Sequence, residues 1–237
     1  DGEAAAWHAG EALRARAGEA LPHVSVRVRP SQGVTEVLTY ARDRGGLFAS
    51  LASALSAVGA DIAGARAHTT KDGAALDVFS IQTADHRPFG ADDAGTLDAL
   101  VARLKRAAVA DHALPAAQPL SGRIAAFAIE PWVRIDNAIS QYATVIEMSG
   151  RDRLGLLGEL AHVCAEAGVS IASAHVNTLG ERASDVFYVH EVGGGQIENP
   201  RRISAIRAEL EQVLRRDDPR AGEFDARLAV APASTAR

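Results

Sequence analysis

Cysteine is nearly absent: Cys164 is the only one among 237 residues. A lone thiol closes no disulfide within the chain, which fits a reducing, cytoplasmic compartment. No apolar run approaches the ~20 residues that a membrane span needs. Aromatics make up 5% of the chain and the net charge is −5. A basic surface with stacking aromatics, as RNA recognition demands, is therefore poorly supplied, and no pull toward anionic lipid is expected. The chain is read as having no nucleic-acid and no membrane partner. Catalytic signatures are missing too. There is no Asp-x-Asp to hold Mg²⁺, no His-Asp dipeptide, no Gly-x-Ser-x-Gly and no phosphate-cradling glycine loop. The eight histidines are scattered, and His162-x-Cys164 reads better as a helix surface beside a core thiol than as a ligand pair. No catalytic and no metal residue is expected. The start, Asp1-Gly2-Glu3, is neither basic nor apolar and lacks an initiator methionine, so the chain reads as a piece of a longer protein without a signal peptide.

What the chain does have is an internal repeat. Arg42-Asp43-Arg44-Gly45-Gly46-Leu47-Phe48 recurs 109 residues later as Arg151-Asp152-Arg153-Leu154-Gly155-Leu156-Leu157. The offset persists: Leu51 matches Leu160, Gly59 matches Gly168, Ile62 matches Ile171, and Thr69 matches Thr178. One residue drops out in a turn, after which Asp77-Val78-Phe79 matches Asp185-Val186-Phe187.

Around this repeat the hydrophobic pattern predicts the elements. Residues 3–18 read as a short Ala-rich helix left over from an upstream domain. Residues 23–29 alternate valine with polar residues, as a half-buried strand does, and a turn at 30–33 leads into a second strand over 34–41. An amphipathic helix then presents Leu47, Leu51, Leu55 and Val58 on one face and stops at Gly59. Strand 61–70 points Ala63, Ala65 and Ala67 one way, turns at 71–73, and returns as strand 75–83. A helix over 94–108, a linker over 114–120 and a strand over 124–129 complete the unit. Residues 132–137 continue extended. The second unit repeats the order: strand 144–148, helix 156–167, strands 169–179 and 184–192, a helix from Pro200 to about residue 216, and strand 224–230. The organisation is a linker over 1–33, a first unit over 34–131, a connection over 132–142, a second unit over 143–231 and a tail over 232–237. Each unit reads β-α-β-β-α-β, so the fold class is α+β: two ferredoxin-like units in tandem, with antiparallel sheets and helices on one face. The other face is mixed, with Ser173, His175 and Asn177 beside Val186 and Tyr188, which suits a partner there or at a sheet edge.

The repeated turn carries the chemistry. A helix N-terminus offers unpaired N–H groups and the positive end of a dipole, ready for a carboxylate or phosphate. Glycine lets the backbone approach a ligand. The aspartate can cap those N–H groups, or it can hold the ammonium of an amino acid. The structural alternative is that Asp43 and Asp152 are only helix caps and Gly46 and Gly155 only permit the turn.

These residues resemble ACT domains, small amino-acid-sensing modules whose usual turn is Asp-Arg-Pro-Gly-Leu-Leu. Gly45 and Leu154 stand in place of the proline. The runs Val34-Thr35-Glu36-Val37, Ala65 to Thr70 with Asp72-Gly73, and Ala75 to Phe79 narrow the match. So do Ile135-Asp136-Asn137, Ser173-Ala174-His175, Gly180-Glu181-Arg182 and Asp185 to Val189. Together they resemble the tandem ACT region of the family of bifunctional uridylyltransferase/uridylyl-removing enzymes, over roughly residues 34–230. The resemblance implies a regulatory region of an Mg²⁺-dependent nucleotidyltransferase and hydrolase, with the catalytic parts lying upstream. It implies L-glutamine as ligand, the PII nitrogen-signalling protein as partner of the parent enzyme, and ACT–ACT pairing within or between chains. It places ligand at Asp43, Arg44, Gly46 and Leu47, and at Asp152, Arg153, Gly155 and Leu156. Asp61 and Ile62, and Ser170 and Ile171, would lend backbone groups across the ACT–ACT interface. The alternatives are a ligand-free pairing module, a sensor of another amino acid and, further off, an RNA-binding module or a small phosphatase of the same fold.

Overall fold

The computed structural model describes residues 2–16, 21–70, 73–109, 129–191 and 193–216. Eight strands form one antiparallel sheet in the order β1-β2-β4-β3-β7-β8-β6-β5. The first four are β1 (His23–Arg29), β2 (Val34–Arg42), β3 (Asp61–Thr69) and β4 (Ala74–Gln82). The second four are β5 (Trp132–Asp136), β6 (Thr144–Arg151), β7 (Val169–Leu179) and β8 (Arg182–Glu191). Helices α2 (Leu47–Ser56), α3 (Ala94–Val109), α4 (Leu156–Glu166) and α5 (Pro200–Arg215) share one core with the sheet. The expected α+β class, antiparallel pairing and helical cover are all present. Among the described residues, no helix is long and apolar enough to cross a membrane.

The units join through β3 and β7, which pair from Gly64 opposite Asn177 to His68 opposite Ser173. At the middle of that ladder Arg66 faces His175, its own counterpart in the repeat. The two units thus meet as an isologous dimer would, about a local two-fold axis. The core is continuous across the axis: Phe48 stacks on Phe79 at 5.4 Å between ring centroids and meets Phe187 edge-on at 6.2 Å.

Several expectations change in detail. The strands expected at 124–129 and 224–230, the linker at 114–120 and the tail lie outside the described residues, apart from Ile129, which is buried but not in a strand. The place beside β2 is held by β1, and the place beside β6 by β5. These strands also stand 109 residues apart, so each described unit runs ββαββα. Strands β1 and β5 pair within the units' sheets although they precede the expected boundaries at 34 and 143.

Helix α1 (Gly2–Arg16) lies on the opposite face from the other four helices. Leu38 and Tyr40 of β2, with Leu76 and Val78 of β4, pack there against Ala15 and Trp7. Arg27 stacks over the Trp7 ring at 4.6 Å, and Glu11 meets His23 at 2.9 Å. The second unit carries Glu147, Ser149 and Ser184 at the positions equivalent to Leu38, Tyr40 and Leu76.

Helix α2 ends at Ser56, so Val58 falls in the following turn and is partly exposed. Nor does α2 have a solvated face: all ten of its residues are buried. Its serines misled the amphipathic pattern. Ser50 and Ser56 donate to the carbonyls of Gly46 and Ala52 at 2.9 and 3.0 Å, which lets a polar side chain lie against a neighbouring helix. In β3 a bulge after Ile62 shifts the alternation, so Ile62, rather than Ala63, is buried with Ala65 and Ala67.

Helices α2 and α4 cross close together at Gly158. A Cβ there would lie 2.9 Å from Ser53 Oγ and 3.3 Å from the Ser53 nitrogen. Gly158→Val should therefore lower stability by about 1–3 kcal/mol, the usual range for overpacking. Urea unfolding of the variant against the wild-type chain measures this directly.

Candidate functional site

The β3–β7 ladder is short and open at both ends. Residues 61–63 and 169–172 do not pair across it, and each strand is bulged at its start, between Ile62 and Gly64 in β3 and between Ile171 and Ser173 in β7. A cleft opens at each end. The first holds Asp43, Arg44, Gly46 and Leu47 of the first unit opposite Ser170 and Ile171 of the second. The second holds Asp152, Arg153, Gly155 and Leu156 opposite Asp61 and Ile62. All twelve residues that the resemblance points to line these two clefts, which the local two-fold relates.

The turns are shaped by glycine. Gly46 and Gly155 sit at the helix caps with φ of 74° and 87°, a left-handed conformation that costs glycine nothing. No side chain caps either helix, so Asp43 and Asp152 are not the plain N-caps of the structural alternative. Asp43 accepts instead from the Thr69 hydroxyl at 2.9 Å. Asp152 accepts from Thr178, the repeat counterpart of Thr69, and from the Arg153 backbone. An α-helix leaves its first amides without an intrahelical acceptor. Phe48 and Ala49, in the first turn of α2, line the first cleft, and Leu157 lines the second.

The arginine side chains turn into the helix layer. Arg44 donates to Ser50 Oγ at 3.2 Å and to the Ala107 carbonyl of α3 at 3.0 Å. Arg153 grips Glu159 in a fork at 2.6 and 3.1 Å, and Glu159 also receives Arg216 at 2.7 Å. These contacts fasten each turn to the helices of its own unit. The arginines therefore line the clefts while their charged ends position the turns.

Two acids escaped the sequence reading. Asp77 and Asp185 sit at matched positions on β4 and β8, 2% and 3% exposed, and each lines a cleft. Asp77 Oδ2 and Asp185 Oδ1 have no hydrogen-bond partner among the described residues. Burial, then the neighbouring Asp43, pushes the Asp77 carboxyl up to about 8. Burial, then Asp152, pushes Asp185 to about 7, and burial, then Asp61, pushes Asp152 to about 7. The signal was present in the repeated Asp-Val-Phe: an acid kept in both copies between apolar strand residues. His162 makes a surface pair with Glu166, while the Cys164 thiol is buried and pushed up to about 12. No group of three or more His, Cys, Asp or Glu among the described residues could hold a metal.

A family model described as ACT domain matches residues 144–214. The bifunctional uridylyltransferase/uridylyl-removing enzyme of Caulobacter vibrioides is 42% identical over 98% of this chain and 25% of its own length. The enzyme of that name from Phenylobacterium zucineum is 44% identical over 78% of this chain and 20% of its own. The chain thus spans about a quarter of the length of these relatives. Among solved structures, aspartate kinase from Synechocystis aligns with a TM-score of 0.43 and 18% identity, over 78% of this chain and 27% of that one.

The buried acids predict how stability responds to pH. An unfolded aspartate titrates near 3.8, whereas these titrate at about 7 to 8 in the folded chain. The folded state then holds more protons than the unfolded state between those values, so stability falls as pH rises. The contribution is complete below about 3.8 and is lost through about 7 to 8. The thermal midpoint should fall from pH 5 to pH 8.5, and Asp77→Asn with Asp185→Asn should flatten that slope, as differential scanning fluorimetry across the range would show.

Proposed function

Starting from a chain that carries an ACT domain and is a homologue of the bifunctional uridylyltransferase/uridylyl-removing enzymes, we propose that it is the amino-acid-responsive regulatory part of such an enzyme and binds L-glutamine. The observation that carries this reading is the pair of symmetry-related clefts. Each brings together helix-start amides, the aspartate of the turn and one buried acid, Asp77 or Asp185, and each is finished by the bulged strand of the other unit. A free α-amino acid is a zwitterion. Its carboxylate suits the amides at the start of α2 or α4. Its ammonium suits the carboxylates of Asp43 and Asp77, or of Asp152 and Asp185, where charge-assisted hydrogen bonds in a low-dielectric cleft are strong.

Regulation follows from where the clefts lie. A ligand seated between two units biases any pair of arrangements that differ in that interface, by as much as its affinity for them differs. A coupling of about 1–3 kcal/mol is typical of such linkage. In the parent enzyme, whose substrate by this reading is the PII signalling protein, glutamine would favour uridylyl removal over Mg²⁺-dependent transfer. The chain itself supplies no catalytic group to either reaction.

Calorimetric titration with L-glutamine, set beside glycine and D-glutamine, tests the binding. Saturable heat with L-glutamine alone is expected, and Asp152→Ala should abolish binding at the second cleft. For the regulatory half, the ratio of uridylyl removal to transfer by the whole enzyme should rise severalfold with glutamine. A ratio indifferent to glutamine would sink the regulatory claim.

A further inference from the structure

The two clefts are related by the repeat but differ in charge. At the strand start that each unit lends to the other's cleft, the first unit presents Asp61 and the second presents Ser170, its counterpart 109 residues on. Asp61 therefore joins Asp152 and Asp185 around the second cleft. Asp185 is almost fully buried, and its Oδ1 has no partner among the described residues. The acids are close enough to feel one another: Asp61 raises the Asp152 carboxyl, and Asp152 raises that of Asp185. The cation on this wall, Arg153, is matched by the buried Glu159. Gln82 holds Asp61 in place, donating from Nε2 to Oδ2 at 3.0 Å. The first cleft has two acids, Asp43 and Asp77, with Arg44 and His68 on its wall and the neutral Ser170 hydroxyl where the third acid would be.

We propose that Asp61, lent to the second cleft by the first unit, is a specificity-determining residue that admits an amino acid of zero net charge and turns away one with an anionic side chain. The first cleft, with Ser170 at that place, discriminates much less. This inference rests on the amino-acid-binding reading above and adds to it the basis of selection between glutamine and glutamate. Three carboxylates around a cleft accept one ammonium readily, and the open Oδ1 of Asp185 can take one of its hydrogen bonds. A further carboxylate on the ligand adds a like charge to a cleft whose own acids already oppose one another's ionisation. At an effective dielectric near 20, one such charge pair a few ångströms apart shifts affinity by roughly tenfold or more.

The test titrates the 237-residue chain with L-glutamine and L-glutamate, using Asp43→Ala to isolate the second cleft and Asp152→Ala to isolate the first. The second cleft should prefer glutamine by more than tenfold. Asp61→Ser should shrink that preference by about tenfold, mainly by tightening glutamate. Ser170→Asp should create the preference in the first cleft. Asp61→Asn, which keeps an acceptor for Gln82, controls for folding and should shrink the preference too. A folded Asp61→Asn chain that binds glutamine with its preference over glutamate intact overturns the inference. Failure of the wild-type chain to bind either amino acid would overturn the amino-acid reading, and this inference with it.

Discussion

Five cross-strand pairs between β3 and β7 hold the arrangement on which everything else depends. A strand at the edge of a sheet offers unpaired amides and carbonyls to any partner. Here each unit's inner edge finds the other's. Repeat-equivalent Arg66 and His175 face one another, so the backbone arrangement at one end of the ladder recurs at the other. The bulges keep the ladder short, and the crossing of α2 over α4 at Gly158 closes the helix layer above it. One sheet, one core and two clefts follow from that single junction.

The clefts also concentrate an electrostatic tension. Elsewhere in the chain, buried charges are answered: Glu36 by Arg27 and Arg29, and Glu159 by Arg153 and Arg216. Asp77 and Asp185 are not answered in that way, and their burial holds them toward the protonated form. An unanswered buried carboxyl is costly wherever structure is the only concern. Its presence at matched positions in both units, at the wall of a cleft, is the kind of local conflict that marks functional sites in otherwise consistent folds.

Much of this was legible in the sequence. The 109-residue offset gave the two units, the turns and the hairpins, because repeated glycines and apolar spacing constrain backbone geometry directly. The order of strands at the outer edges was not, since ββαββα and βαββαβ are cyclic versions of one pattern and differ only in which end supplies the outer strand. Helix α2 was expected to be amphipathic because composition does not reveal that a serine hydroxyl can bond its own helix and lie buried. Ala63 was expected to face the same way as Ala65 and Ala67 because a bulge is invisible to a period of two. The turn residues of the site were readable from their chemistry, and their partners on the neighbouring strand from resemblance. Asp77 and Asp185 were missed although their repeat marked them, because a charged residue in an alternating strand is assigned by default to solvent.

Because both halves of the β3–β7 junction belong to one polypeptide, their encounter is intramolecular. Two separate copies would form such a junction only above some protein concentration, whereas tethered halves experience an effective concentration set by the chain that joins them. Both clefts are therefore complete in a single molecule, however dilute. Any ligand they take would fill them according to its own concentration, independent of how abundant the protein itself becomes.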